Sequence, residues 1–185
     1  MSRNRKTGVR SQESGVRGSG FTLIEVLVVL LIIGITISMI SLTGGRERSY
    51  QLRDEVKRLA ALVDLAADEA VLAAADHGLM VYEDGYRFYR RGDDGSWAAL
   101  ADDETFRPRS LPPGFLARLS VADEDVLLDP FSLSDTEIKT APHIVMTLDG
   151  EMTPFELELR DRHSGLAGRL AVSFNGEVRI SEAER

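Results

Sequence analysis

The sequence has no cysteine. That excludes a disulfide framework, thiolate metal ligands and a cysteine nucleophile. Histidine is also scarce: His77, His143 and His163 lie far apart, with no HxxH or HExxH spacing. They are read as surface or edge residues. No GxSxG elbow and no phosphate-binding glycine loop occurs. Asp102-Asp103-Glu104 and Asp123-Glu124-Asp125 offer hard oxygen ligands but lack EF-hand spacing, so they are read as solvated acidic loops. No catalytic residue, cofactor or metal site is expected.

Acidic charge is nearly missing from the start of the chain. Residues 1–20 hold five basic side chains and only Glu13 as an acid, a net +4. The remainder has 17 Lys+Arg against 29 Asp+Glu, or −12, within a total of −8. A basic leader ahead of an apolar run reads as a targeting segment. The acidic body argues against nucleic acid as a partner.

Residues 21–42 are the one long hydrophobic run, FTLIEVLVVLLIIGITISMISL, with Glu25 as its single charge. As a helix it reaches roughly 33 Å at ~1.5 Å per residue, enough for a hydrocarbon core of ~30 Å. It is longer than a secretory h-region of about 7–15 residues and lacks an Ala-x-Ala exit, so it reads as a retained span. Lys/Arg counts on its two sides leave the orientation open, because Arg46, Arg48, Arg53, Lys57 and Arg58 follow it closely.

An amphipathic helix is expected through residues 43–76, with Leu52, Val56, Leu59, Val63, Ala67, Ala70 and Ala74 at steps of three and four. Gly44-Gly45 is a place where it could kink, and Gly78 is the expected stop. Without a break, residues 21–76 form a rod of roughly 84 Å.

Residues 77–185 read as β. Strands are expected at 79–83 and 86–90 around an Asp84-Gly85 turn, then at 97–100, 115–121 and 126–128. Further strands are expected at 143–148 and 155–160 around Asp149-Gly150, and at 169–174 and 177–180 around Asn175-Gly176. Residues 101–114, with three prolines, read as loop. About eight short strands without a βαβ rhythm predict an α+β fold, antiparallel sheets packed on a long N-terminal helix. Tyr82, Tyr86, Phe88, Tyr89 and Trp97 with Arg87, Arg90 and Arg91 have the composition of a base-stacking platform, but in hairpin strands they read first as core and cross-strand pairs.

The order Gly20-Phe21-Thr22-Leu23-Ile24-Glu25-Val26, after a basic leader and at the head of the span, resembles the prepilin signature of type IV pilins and type II secretion pseudopilins. The resemblance implies that a prepilin peptidase removes residues 1–20 by cutting between Gly20 and Phe21, and N-methylates Phe21. It implies a cytoplasmic leader, an inner-membrane span and a periplasmic domain. It also gives Glu25 an assembly role, pairing with the terminal amine of a neighbouring subunit. A leader of 20 residues is longer than usual for pseudopilins.

Residues 144–159, with Gly150-Glu151-Met152-Thr153-Pro154-Phe155 at their centre, are similar to the minor pseudopilin H family of type II secretion. In that stretch Phe155, Leu157 and Leu159 are expected to face the core, with Glu156, Glu158 and Arg160 outward. The resemblance implies a structural subunit near the tip of a periplasmic pseudopilus that helps export folded proteins. Its implied partners are the prepilin peptidase, other major and minor pseudopilins, inner-membrane lipid and, as candidate cargo, secreted exoproteins. A minor type IV pilin active in DNA uptake or pilus assembly is the alternative.

Overall fold

A computed structural model describes residues 22–133, 138 and 140–181, with the side chains of residues 37–46 outside the description. The chain divides into two units, Met1–Ser41 and Leu42–Arg185. Helix α1, Leu23–Leu72, contributes to both.

In the first unit α1 starts at a side-chain cap. Glu25 N donates to Thr22 O at 3.1 Å and to Thr22 Oγ1 at 3.3 Å. One of the amides that an α-helix start leaves unpaired is thereby satisfied. From residue 22 to residue 36 every side chain is exposed, including Leu23 (81%), Ile24 (71%) and Leu30 (62%). Thr36 Oγ1 donates to Ile32 O at 2.6 Å, so its hydroxyl is satisfied inside the helix. Among the described residues no helix is long and apolar enough to cross a membrane. The expected span of 21–42 extends past the described side chains at both ends. Residues 22–36 alone reach about 22 Å, short of a ~30 Å hydrocarbon core.

In the second unit most of the predicted stripe of α1 is buried: Leu52, Val56, Leu59, Val63 and Ala70 are each under 5% exposed, while Ala67 is only partly buried and its neighbour Ala66 takes the fully buried place. The helix ends earlier than predicted, at Leu72. Ala74 takes a left-handed φ of 49°. Its N–H donates to Val71 O at 3.3 Å, and the next N–H, of Ala75, donates to Ala70 O at 3.1 Å. This pair of bonds is a Schellman motif with alanine in glycine's usual place. Ala74, expected on the buried stripe, is exposed.

Ten strands follow among the described residues, the nine expected segments and the added β4. β1 (His77–Tyr82), β2 (Gly85–Arg91), β3 (Trp97–Ala99), β4 (Arg109–Ser110) and β7 (Ile144–Met146) make one antiparallel sheet, ordered β3-β2-β1-β7 with β4 also on β2. β5 (Phe115–Val121), β6 (Glu124–Val126), β8 (Phe155–Asp161), β9 (Ala167–Val172) and β10 (Val178–Ser181) make the other, ordered β10-β9-β8-β5-β6. Both sheets contribute to one core with α1. Leu79, Phe88 and Ile144 come from the first sheet, and Leu119, Leu157 and Leu170 from the second. Each such side chain contributes about 1.5–3 kcal/mol when fully buried.

Several expectations are corrected. Gly78 does not stop the helix; it sits in β1, where a Cβ would lie 2.4 Å from Pro142 Cγ. Tyr82 pairs with Gly85, so the first hairpin turns at Glu83-Asp84, one residue early. Gly85 serves close packing there, since a Cβ would meet Phe131 at 2.5 Å. The expected loop 101–114 contains β4. The strand expected at 126–128 lies at 124–126, because Ala122 and Asp123 take φ of 49° and 67°, the signs of a type I′ hairpin turn.

Candidate functional site

The predicted processing site, Gly20 and Phe21, lies outside the described residues. Glu25 is described, as the third residue of α1, and its side chain is exposed. Thr22-Leu23-Ile24-Glu25 is also a capping-box sequence, Thr-x-x-Glu at the head of an apolar run. That signal adds a local role for this segment that reasoning from the prepilin signature missed. With Thr22 as the cap, an acidic group in the first turn also suits the positive end of the helix dipole. Around it, residues 22–36 form an apolar surface on all sides of one helix, which needs lipid or other helices to cover it.

The second described feature ties α1 to the β domain. Asp161 is fully buried at the end of β8. Its Oδ1 accepts from Arg48 Nη1 at 3.2 Å and from His163 N at 3.2 Å. Its Oδ2 accepts from Ser164 N at 3.2 Å and Ser164 Oγ at 2.6 Å. Arg48 Nη1 also donates to Pro113 O at 3.3 Å. Burial pushes the Asp161 carboxyl upward, but the Ser164 hydroxyl, the two amides and the Arg48 charge outweigh it and hold it below the usual carboxylate range. The alternation 155, 157, 159 carries inward parity on to 161, and Ser164 follows three residues later. Those were the sequence signals for this site.

The stretch that carries the family resemblance joins the two sheets. β7 belongs to one and β8 to the other. Thr153 bridges the gap: its N–H donates to Val145 O at 2.9 Å, while its Oγ1 accepts from Val145 N at 3.1 Å. Met146 and Met152 pair as a bridge, and Gly150 turns the chain at φ 84°. Pro154 stands just before β8, where a strand tolerates a missing N–H. Phe155, Leu157 and Leu159 are buried as predicted, and Glu156 and Arg160 are exposed. Glu158 is partly buried beneath Arg160 and Arg169, whose guanidinium groups donate to it at 2.8 and 3.0 Å. Burial pushes its carboxyl up, and those two arginines more than reverse the shift.

The aromatic residues do not form one exposed platform, and Tyr82 and Trp97 are only partly exposed. Tyr86, Phe88 and Tyr89 are at most 2% exposed, and Arg87 is wholly buried with Nη2 on Ser132 O at 2.7 Å. Phe131 and Ser132 lie against Arg87, and Pro142 lies against Gly78, which the alternation alone did not foretell. His77 is also buried, contrary to its surface reading, with Nδ1 3.0 Å from Ala75 O. His143 is half-buried and accepts from Val81 N at 3.3 Å, and His163 is exposed. In the two acidic clusters, Asp103 Oδ1 caps a turn, accepting from Thr105 N and Phe106 N, and Glu124 and Asp125 lie in β6. Among the described residues no group of three or more His, Asp or Glu side chains is arranged to hold a metal ion.

Comparison with known proteins agrees in sequence and in fold. Residues 17–41 match the prokaryotic N-terminal methylation motif. The chain is 34% identical to type II secretion system protein H of Pseudomonas aeruginosa over 163 residues, which is 85% of this chain and 91% of that protein. It is 30% identical to the protein of the same name from Escherichia coli over 151 residues, 79% of this chain and 83% of that one. The crystal structure of the minor pseudopilin EpsH from the type II secretion system of Vibrio cholerae superposes with a TM-score of 0.59 at 18% identity. It covers 74% of this chain and 97% of that one. The solution structure of E. coli GspH gives 0.55 at 22% identity, covering 74% and 91%.

Proposed function

The chain belongs to the type II secretion system protein H family, and on that footing we propose that it is a minor pseudopilin, a structural subunit near the tip of a periplasmic pseudopilus. What carries this reading is one coincidence. A prepilin-type N-terminus at residues 17–41 and an H-type domain are joined in a single chain.

The mechanism follows from the residues. The apolar run 21–42 stores the subunit in the inner membrane with its β domain in the periplasm. Prepilin peptidase removes residues 1–20 and methylates Phe21. Cleavage after Gly20 leaves Thr22 in the mature chain, so the helix cap on Glu25 N survives processing. The Glu25 side chain is exposed and pairs with the terminal amine of an adjacent subunit. At ~4 Å and an effective dielectric near 20 that attraction is on the order of 4 kcal/mol before desolvation. It sets the stagger of packed helices in the filament, whose neighbours cover the apolar surface of residues 22–36. The β domain meets other pseudopilins and exported proteins. The chain is the peptidase's substrate and contributes packing rather than chemistry.

The test is intact mass and N-terminal peptide mapping of the membrane form, with and without prepilin peptidase. The expected result is a chain beginning at methylated Phe21 only when the peptidase is present. A chain beginning near Met1 in both cases, or one cut beyond residue 42, defeats the proposal. Glu25→Ala is expected to be processed normally yet to fail to enter the pseudopilus.

A further inference from the structure

The turn of the last hairpin carries a reactive pair. Asn175 is the only asparagine after residue 20, and a glycine follows it. Phe174, Asn175 and Gly176 form the loop between β9 and β10. Gly176 N donates to Ser173 O at 2.9 Å, Ser173 N donates to Glu177 O at 3.1 Å, and Gly176 takes φ 77°. These are the marks of a three-residue hairpin loop closed by a left-handed glycine. Asn175 is exposed. A Cβ on Gly176 would meet no described atom within 4 Å, so the space beside its backbone is open. Glycine also has no side chain of its own to crowd its amide nitrogen. The side-chain amide of Asn175 and the backbone nitrogen of Gly176 are therefore the two partners of a five-membered ring, with nothing between them and solvent.

We propose that Asn175 is a self-modification site, converted to aspartate and isoaspartate through a succinimide, and that Ser173 restrains the rate. Hydroxide takes the Gly176 amide proton. The nitrogen bonds to Asn175 Cγ, the Cγ–Nδ2 bond breaks, and Nδ2 leaves as ammonia with a proton from water. Water then opens the ring. Opening at Cγ gives aspartate. Opening at the Asn175 main-chain carbonyl carbon gives isoaspartate, in which the chain runs through Cβ and Cγ. In sum an amide and a water become a carboxylic acid and ammonia, with no change of oxidation state. The hairpin restrains the first step twice. The Gly176 proton is held by Ser173 O, and an amide in a closed hydrogen bond gives up its proton only when the bond opens. Asn175 Oδ1 accepts from Ser173 Oγ, whose other acceptor, Glu177 O, is farther away at 3.4 Å. Opening is local and easy, because β10 is an edge strand and Arg179, Ile180 and Ser181 are exposed. Either product puts a carboxylate beside Glu177. Isoaspartate also lengthens the turn by a methylene, which its two backbone bonds do not accommodate. Ile180 lines a groove with Leu52 and Val56 of α1, so a loosened β10 is felt at the helix. The inference concerns this hairpin alone and holds whether or not the chain assembles as a pseudopilin.

The test is a time course on the full chain in detergent, at mildly acidic and mildly alkaline pH, with a urea-unfolded sample alongside. Cleavage after Arg169 and Arg179 releases the peptide Leu170–Arg179, which holds the site. Its mass rises when the amide becomes an acid, and fragmentation with isoaspartyl methyltransferase labelling separates the two products. Asp84-Gly85, Asp94-Gly95 and Asp149-Gly150 can close the same ring without a change in mass, so the gain in mass reports Asn175. The expected result in the folded chain is a gain that grows with time, is faster at alkaline pH and contains both products. Ser173→Ala keeps both backbone bonds and frees Oδ1, and is expected to raise the rate roughly two- to tenfold. A melting scan checks that this variant is folded. Asn175→Gln, which would need a six-membered ring, should show no gain over the same time. A folded chain that stays unmodified while the unfolded sample reacts overturns the site. Aspartate without isoaspartate overturns the ring step in favour of direct hydrolysis. A Ser173→Ala rate equal to or below that of the parent overturns the restraint assigned to Ser173.

Discussion

Arg48 Nη1 lies 3.2 Å from Asp161 Oδ1, and the two residues differ in exposure: the arginine side chain is 34% exposed, the aspartate 0%. The bond fastens α1 to the turn after β8. Its two halves should therefore cost different amounts when removed. Asp161→Ala leaves Arg48, two amides and the Ser164 hydroxyl without their acceptor, and is expected to cost about 2–4 kcal/mol. Arg48→Ala leaves a carboxylate still held by the turn, and the pair is screened on the arginine side, so about 1 kcal/mol is expected. Urea melts of both single variants and the double variant measure the difference and the coupling. Equal costs would contradict the geometry. Because the folded carboxyl titrates below its unfolded value of about 3.9, its contribution is full above that pH and lost as pH falls through the lower folded value. Asp161→Asn should flatten that acid limb.

His143 supplies a second pH dependence in a higher window. Its ring is half-buried, and burial lowers its pKa against the opposing pull of Asp129. Val81 N donates to Nδ1 at 3.3 Å, a bond that only the neutral ring accepts. The folded state thus binds fewer protons than the unfolded one. Stability is full above about pH 6.5 and declines as pH falls from there through the folded value. His143→Asn offers an oxygen to the same amide without titrating. Thermal melts between pH 7.5 and 5 should slope for the parent chain and lie flatter for the variant. Parallel curves would remove His143 from the account.

Ala74 occupies a conformation that its side chain disfavours, φ 49° at the end of α1. The Schellman bonds hold it there. Ala74→Gly keeps both bonds and relieves the Cβ–carbonyl crowding of the left-handed region, so a gain of about 0.5–1 kcal/mol is expected. A melting temperature that falls would mean that the gain of unfolded-chain entropy on adding glycine outweighs the relief.

The large periodic elements were legible because burial imposes a spacing on them. Leu52, Val56, Leu59 and Val63 mark one face of α1, and Phe155, Leu157 and Leu159 mark one face of β8, as the residue pattern requires. Turns with a glycine at positive φ, Gly150 and Gly176, were also readable. What escaped was geometry imposed from outside the local sequence. Ala74, Ala122 and Asp123 take left-handed backbone without a glycine or asparagine to announce it. Arg87 and His77 are buried because other segments lie over them, and no local pattern encodes that. Asp161 stood in plain parity with Leu159, but a carboxylate at an inward position reads as a strand end until its partners are known.

Gly168 of β9 packs against Val56 of α1. A Cβ on Gly168 would lie 2.9 Å from Val56 Cγ2, nearer than real side chains pack, and 3.7 Å from Leu52 Cγ. Gly168 has no left-handed φ, so its role is space rather than backbone freedom. Gly168→Ala should then cost about 1–3 kcal/mol through overpacking of a buried contact. The cause can be separated from a general intolerance of strand β9 by changing the partner. Val56→Ala alone removes buried methyl groups and should cost about 1–3 kcal/mol, while in the double variant the new Cβ enters the space those methyls left. The double variant is therefore expected to be more stable than the sum of the two single changes, by about 1 kcal/mol or more. Strict additivity in urea melts would show that Val56 has room to move aside, and that the helix–sheet spacing at this point is not set by the glycine.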